Sequence, residues 1–158
     1  MKVASGTPEA YGARAVVYAD FIDGLDLSGD SRWITAWARS ISGPILDLGC
    51  GPGHWTAHLS AQGHEVRGID PVPELVELAR ARHRGISFEV GGTDDLAPDA
   101  GYGGLLAWYS LIHLTPGAIG PALAQVRRAL HPGGGLLLGF FDGDHRMAFD
   151  HTVTTAYT

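Results

Sequence analysis

The run Ile45-Leu46-Asp47-Leu48 is apolar but for one acid, and it ends in Gly49-Cys50-Gly51-Pro52-Gly53. Bounded by Pro44 and Gly49, it is too short for a buried helix and reads as a buried strand. The alternate glycines let backbone turn sharply and approach a ligand closely. Trp55 and Leu59 then share one helix face, which stops near Gly63. This strand–turn–helix unit recurs. Residues 66–69 form a second strand that meets Asp70-Pro71, and Pro73 opens a helix carrying Leu75, Val76, Leu78 and Ala79. Residues 86–90 are a third strand, 91–103 a turn-rich loop, and 105–109 a fourth strand. Ile119, Ala122, Leu123, Val126 and Leu130 make a helical stripe before a fifth strand at 136–141. Ahead of all this, helical period covers 8–21, with Tyr11 and Tyr18 on one face. Trp33, Ile34, Trp37 and Ile41 form a further stripe after Asp30, a suitable N-cap.

Strands alternating with helices predict a Rossmann-like α/β fold over residues 1–158, a single domain with a doubly wound, mainly parallel sheet and helices on both faces. Such sheets bind ligands beyond the carboxyl ends of their strands, where strand order switches. The loops after Leu48, Ile69, Val90 and Tyr109 are therefore expected to share one crevice.

Charge narrows the ligand. The net charge is −6 and Lys2 is the sole lysine. Arg80, Arg82 and Arg84 cluster on a helix tail, where a solvated end favouring its own dipole explains them better than a nucleic-acid face. No apolar run approaches the ~20 residues of a membrane span. Residues 1–9 lack the apolar segment of a secretory signal, so a cytoplasmic protein is expected. A single cysteine, Cys50, excludes an internal disulfide and a cysteine-built zinc site.

Two ligand classes suit the glycine turn. A dinucleotide wants Gly-x-Gly-x-x-Gly, but His54 holds the place of the last glycine. Asp47, two residues before the first glycine, gives a pyrophosphate nothing. A cationic ligand such as S-adenosylmethionine gains from an acid there. Asp70 suits a ribose in either case.

Leu46-Asp47-Leu48-Gly49-Cys50-Gly51-Pro52-Gly53 resembles the first motif of the Rossmann-like S-adenosylmethionine-dependent methyltransferases. Gly68-Ile69-Asp70-Pro71 resembles the acidic end of their second strand, and residues 91–96 their adenine-side loop. Residues 105–113 resemble the fourth-strand motif. Leu130-His131-Pro132-Gly133-Gly134-Gly135 is similar to the turn before the fifth strand. The resemblance implies that Asp47, Gly49 and Gly51 line the methionine end, with Trp108 nearby. It implies that Asp70 accepts hydrogen bonds from ribose hydroxyls, that Pro71 packs near adenine, and that Thr93 and Asp94 sit by the adenine edge. Tyr11 and Tyr18 match a leading-helix pattern of some members and would close over the methionine carboxylate. Gly92 stands where members often place an adenine-binding acid.

Among the remaining residues, Trp55 divides between packing and lining the pocket. Trp33 and Trp37 are expected in the core, and Cys50 as filler. His54, His58, His64, His83 and His131 are expected to be solvated, with no metal site in their spacing. Asp142-Gly143-Asp144-His145 reads as a polar turn. His113, after the fourth strand, is the candidate catalytic base, against a structural role in the Thr115-Pro116 turn. A small-molecule acceptor fits the charge, with no nucleic-acid or membrane partner. A non-catalytic cofactor-binding domain or fragment and a nicotinamide-dependent oxidoreductase are the alternatives. The family continues past the fifth strand with a helix and a hairpin, so this fold looks truncated there. The exposed fifth-strand edge is then expected to be covered by a second copy of the chain or by the tail folding back.

Overall fold

The computed structural model describes residues 6–143, 147–151 and 154–157. Lys2, Asp144 and His145, named above, lie outside them. Five parallel strands form one sheet: β1 (Ile45–Leu48), β2 (Val66–Asp70), β3 (Ser87–Val90), β4 (Tyr102–Trp108) and β5 (Leu130–Gly139). Their order is β3-β2-β1-β4-β5, so the chain reverses its direction of winding between β1 and β4.

Strand period decides what each residue of β1 meets. Leu46 and Leu48 pack with Leu105 and Ala107 of β4 and with Val126 and Ala129 of helix α6 (Pro116–Ala129). Ile45 and Leu106 face the other way. They meet Ile34 and Ala38 of α3 (Ser28–Ala38) and Leu59 of α4 (His54–Ala61). Helices therefore cover both faces, and the sheet is bare only at its ends and edges. Trp37 and Ile41 press so closely on the sheet that a Cβ at Gly104 would lie 2.9 Å from Trp37. Trp33, expected in the core, is instead 71% exposed, because it lies off the buried stripe of Ile34 and Ala38.

Several boundaries differ from the sequence reading. The leading helix is two helices, α1 (Thr7–Gly12) and α2 (Ala15–Asp23), broken at Ala13–Arg14. Asp30 does not cap α3. The N-cap is Leu27, and the Ser28 N–H that opens the helix donates to Asp26 Oδ1 at 3.0 Å. β4 begins earlier, at Tyr102, and β5 runs from Leu130, so the Pro-Gly-Gly-Gly segment bulges within the β4–β5 ladder rather than preceding it.

The tail forms two strands, β6 (Ala148–His151) and β7 (Thr154–Tyr157), which pair with each other and not with β5. The tail folds back, but onto α1 and the 3-10 turn Leu111–His113. Among the described residues no strand pairs with the outer edge of β5. The arginine cluster is occupied. Arg80 donates twice to the Phe88 carbonyl, at 2.9 and 2.7 Å, and Arg82 pairs with Asp20 and Asp23.

Candidate active site

Beyond the carboxyl ends of β1, β2 and β4 lies a cavity of about 320 Å³. It sits at the reversal of strand order, where neighbouring loops diverge and leave room. Ten of the twelve site residues expected from sequence line it: Tyr11, Tyr18, Gly49, Gly51, Trp55, Asp70, Pro71, Thr93, Trp108 and His113. Asp47 and Asp94 do not.

The glycine turn is left-handed at Gly49 (φ +78°), Gly51 (+53°) and Gly53 (+87°). Only one of the three faces open space. A Cβ on Gly49 would lie 2.2 Å from Ser110 Cβ, and one on Gly53 2.8 Å from Phe88, whereas Gly51 would meet only Tyr18, at 3.8 Å. Gly49 and Gly53 shape the turn, and Gly51 presents bare backbone to the cavity.

Asp70 ends β2 with both carboxyl oxygens engaged. Oδ2 accepts the Gly51 N–H and Oδ1 the Val72 N–H, each at 2.9 Å. Each oxygen retains a second lone pair, so the group can still accept from a ligand. Burial pushes its pKa up to about 6 against the pull of those two amides.

Asp47 behaves differently from expectation, and strand period gives the reason. It shares the face of Ile45, so its side chain goes under α4 rather than off the strand end. There it is 2% exposed and accepts the Thr56 hydroxyl at 2.7 Å. It can act on a ligand only through space. Burial is the main cause of a pKa raised to about 7. The folded state thus binds a proton more tightly than the unfolded chain. The resulting stabilisation is complete below the ordinary carboxyl range and is lost as pH rises through about 7. His54 slopes the other way. Burial lowers its pKa to about 4, so stability falls as pH drops from about 6.5. Asp47→Asn removes one ionisation while keeping an acceptor for Thr56. Without ligand it should unfold later than the parent in urea at pH 8.5, by on the order of 1–3 kcal/mol, and converge with it at pH 4.5. An equal difference at both pH values would contradict this.

Asp94 is exposed, on the outer side of the 3-10 turn Thr93–Asp95, while Thr93 is buried. Its neighbour Asp95 holds the loop, Oδ2 accepting the Gly92 N–H at 2.8 Å. Trp55 divides its surface. It lines the cavity yet packs in the core beside Leu59.

Tyr11 and Tyr18 meet edge to face, 4.9 Å between centroids, although they stand on separate helices. Burial pushes both phenols up, Tyr18 to about 12, so both stay protonated at neutral pH. Tyr11 Oη lies 3.0 Å from His113 Nε2, and His113 is 6% exposed. Which of the two donates is set by the His113 tautomer.

Of the cavity residues given no ligand role from sequence, Asp30, His54, Ser110 and Tyr109 bear most on its chemistry. Asp30 Oδ2 accepts the Trp108 indole N–H at 3.1 Å, fixing that ring from 78 residues away. His54 is half-buried rather than solvated, and its Nδ1 has no partner; nor does the buried Ser110 hydroxyl. Such orphaned polar atoms in a cavity wall are places for ligand polar groups. Tyr109 carries φ +54°, unusual for a bulky residue and costing roughly 1–2 kcal/mol. Its N–H is held by the Gly139 carbonyl at 3.1 Å, and its ring lies 4.9 Å from that of Phe141.

Among the described residues lining the cavity there is no lysine or arginine. Asp30 and Asp70 are its carboxylic acids, with Asp47 sealed behind. The field is suited to a cation, and the chemistry of the wall fits S-adenosylmethionine. Gly51 admits close approach, Asp70 has acceptor capacity left for hydroxyls, and no cation awaits a pyrophosphate.

Comparison with known proteins agrees. The family described as "Methyltransferase domain" matches residues 45–134. The malonyl-[acyl-carrier protein] O-methyltransferase of Erwinia billingiae is 28% identical over 138 residues, covering 86% of this chain and 53% of its own length. The solved DhpI–SAH complex superposes with a TM-score of 0.72 at 24% identity, over 98% of this chain and 79% of that one. The 1,6-didemethyltoxoflavin-N1-methyltransferase of Burkholderia thailandensis, solved with its acceptor and S-adenosylhomocysteine, gives 0.67 at 25% identity, over 99% and 74%. The chain spans about half the length of the curated relatives it matches. With the glycine turn, the acid ending β2 and the strand order in place, the chain belongs to the Rossmann-like S-adenosylmethionine-dependent methyltransferase family.

Proposed function

We propose that this chain binds S-adenosylmethionine in the cavity and transfers its methyl group to a small-molecule acceptor. The observation that carries this is a cavity at the sheet's switch point whose walls hold carboxylic acids and bare glycine backbone, with no lysine or arginine among the described lining residues. Asp70 accepts from ribose hydroxyls, Pro71 and Thr93 border the adenine, and Gly49–Gly51 backbone, Tyr18 and Trp108 border the methionine part. Asp47 adds negative potential from behind the wall. Asp94 contributes backbone rather than its exposed carboxylate.

Bound there, S-adenosylmethionine supplies a methyl already activated by the sulfonium. The residues have two tasks left: aligning the acceptor and excluding water. A third arises if the acceptor must lose a proton. His113 and Tyr11 then act together. His113 Nε2 takes the proton as the Tyr11 hydroxyl turns away, and passes it on to water. The new bond joins the acceptor's oxygen or nitrogen to the methyl carbon, and the electrons of the broken carbon–sulfur bond stay on sulfur. The reading also places the protein in the cytoplasm as a single unit over 1–158, with a second copy able to pair along the outer edge of β5.

His113→Ala should lower the transfer rate by about 100-fold, the low end for general-base loss, while S-adenosylhomocysteine affinity stays within about threefold. Release of S-adenosylhomocysteine in single-turnover assays measures this. Lost folding stability with normal turnover per folded molecule would assign His113 to structure alone. Binding of S-adenosylhomocysteine without turnover of any acceptor would favour a binding domain without catalysis.

A further inference from the structure

The cofactor uses the ends of β1, β2 and β3. Strand order places the ends of β4 and β5 on the opposite side of β1, and the wall there is aromatic and apolar. Trp108 and Tyr109 end β4, 5.6 Å apart and nearly perpendicular. Phe141 follows β5 and lies 4.9 Å from Tyr109 at a 43° tilt. Phe21 and Leu25, of α2 and its following loop, add apolar surface to the cavity, 47% and 42% exposed although they line it. Large apolar side chains left facing a cavity await an apolar occupant. Tyr109 holds its ring there in a left-handed backbone conformation that a bulky residue resists. Among the described residues that line the cavity, no lysine or arginine can neutralise an anion. Asp30 stands beside Trp108, and burial leaves His54 neutral at neutral pH.

We infer that the methyl acceptor is an uncharged, planar aromatic molecule bearing a hydroxyl or ring N–H, packed against Tyr109 and Phe141, and that a carboxylate on it is rejected. The inference rests on the methyltransferase reading of the same cavity. Tyr109 selects the acceptor and takes no part in holding the cofactor. Asp30 fixes Trp108 and repels anions. For a phenol, the oxygen–methyl bond forms as the sulfur–methyl bond breaks, and the phenolic proton goes to His113.

The test uses the full chain and three probes: 2-naphthol, 6-hydroxy-2-naphthoate and 1-decanol. S-adenosylhomocysteine is titrated first, and failure at that step removes the cofactor reading and the acceptor claim with it. Each probe is then titrated into the S-adenosylhomocysteine-loaded protein, and methylation is followed with S-adenosylmethionine. Expected is binding and methylation of 2-naphthol, with the carboxylate and the aliphatic alcohol each at least tenfold weaker. Tyr109→Gly, which suits the left-handed backbone, should weaken 2-naphthol at least fivefold and leave S-adenosylhomocysteine within twofold. Tyr109→Phe should retain 2-naphthol binding. With the cofactor bound, any of three results overturns the inference: no 2-naphthol binding, equal or tighter binding of the carboxylate or decanol, or no effect of Tyr109→Gly.

Discussion

Gly49→Ala is expected to lose about 2–5 kcal/mol of folding stability, combining a left-handed backbone cost of roughly 1–2 with overpacking of about 1–3. The backbone at Gly49 sits at φ +78°, and an added Cβ would lie 2.2 Å from Ser110 Cβ and 3.0 Å from its hydroxyl. The turn cannot shift to make room. The Gly49 and Cys50 N–H groups are held by the Ile69 carbonyl at 2.8 and 3.0 Å, tying the turn to β2. Gly63 provides the control. It has φ +88° but nothing within 4 Å of a Cβ, so Gly63→Ala should show only the backbone cost. Urea unfolding of both variants separates strain from collision. Equal losses would show that Ser110 yields and that the turn is less rigid than its geometry implies.

Asp70→Ala should weaken S-adenosylhomocysteine binding at least tenfold, since hydrogen bonds to a charged group contribute about 1.5–3 kcal/mol each. The structure adds a second consequence. Gly51 and Val72 both donate to this carboxylate, and removing it leaves two buried N–H groups without their acceptor, at about 1–3 kcal/mol each. Affinity is therefore to be measured by calorimetry at a temperature where the variant is folded by circular dichroism. Unchanged affinity in the folded variant would remove Asp70 from the cofactor site.

What the sequence made legible was whatever is set locally. β1 is a short, mostly apolar run bounded by Pro44 and Gly49, and the acid ending β2 is followed directly by Pro71, so strand, turn and acid could be read in register. In the tail, residues 154–157 with their two threonines form a strand, as local β preference favours. Its partner could not be read, because pairing depends on which edge the chain reaches. β7 pairs with β6 and packs on the elements bearing Tyr11 and His113, not on β5.

The misreadings share one cause. Asp30 has the right spacing for a helix cap, but its acceptor is taken by Trp108, on a strand far along the chain. Asp47 has the composition of a ligand-binding acid, but strand period turns it under α4 to Thr56. His54 follows a glycine turn in sequence, which says nothing of its burial, and lines the cavity in space. Tyr109 was placed at the end of the fourth strand, but its left-handed φ has no sequence mark, since the Gly139 carbonyl that holds its N–H lies far along the chain.

The central claim is that the cavity is built for the cationic methyl donor and not for a nicotinamide dinucleotide. Calorimetric titration of the full chain with S-adenosylhomocysteine, and separately with NADH, tests it most directly. The expected result is saturable one-to-one binding of S-adenosylhomocysteine, and only heat of dilution from NADH. Saturable binding of NADH, with S-adenosylhomocysteine giving only heat of dilution, would contradict the account.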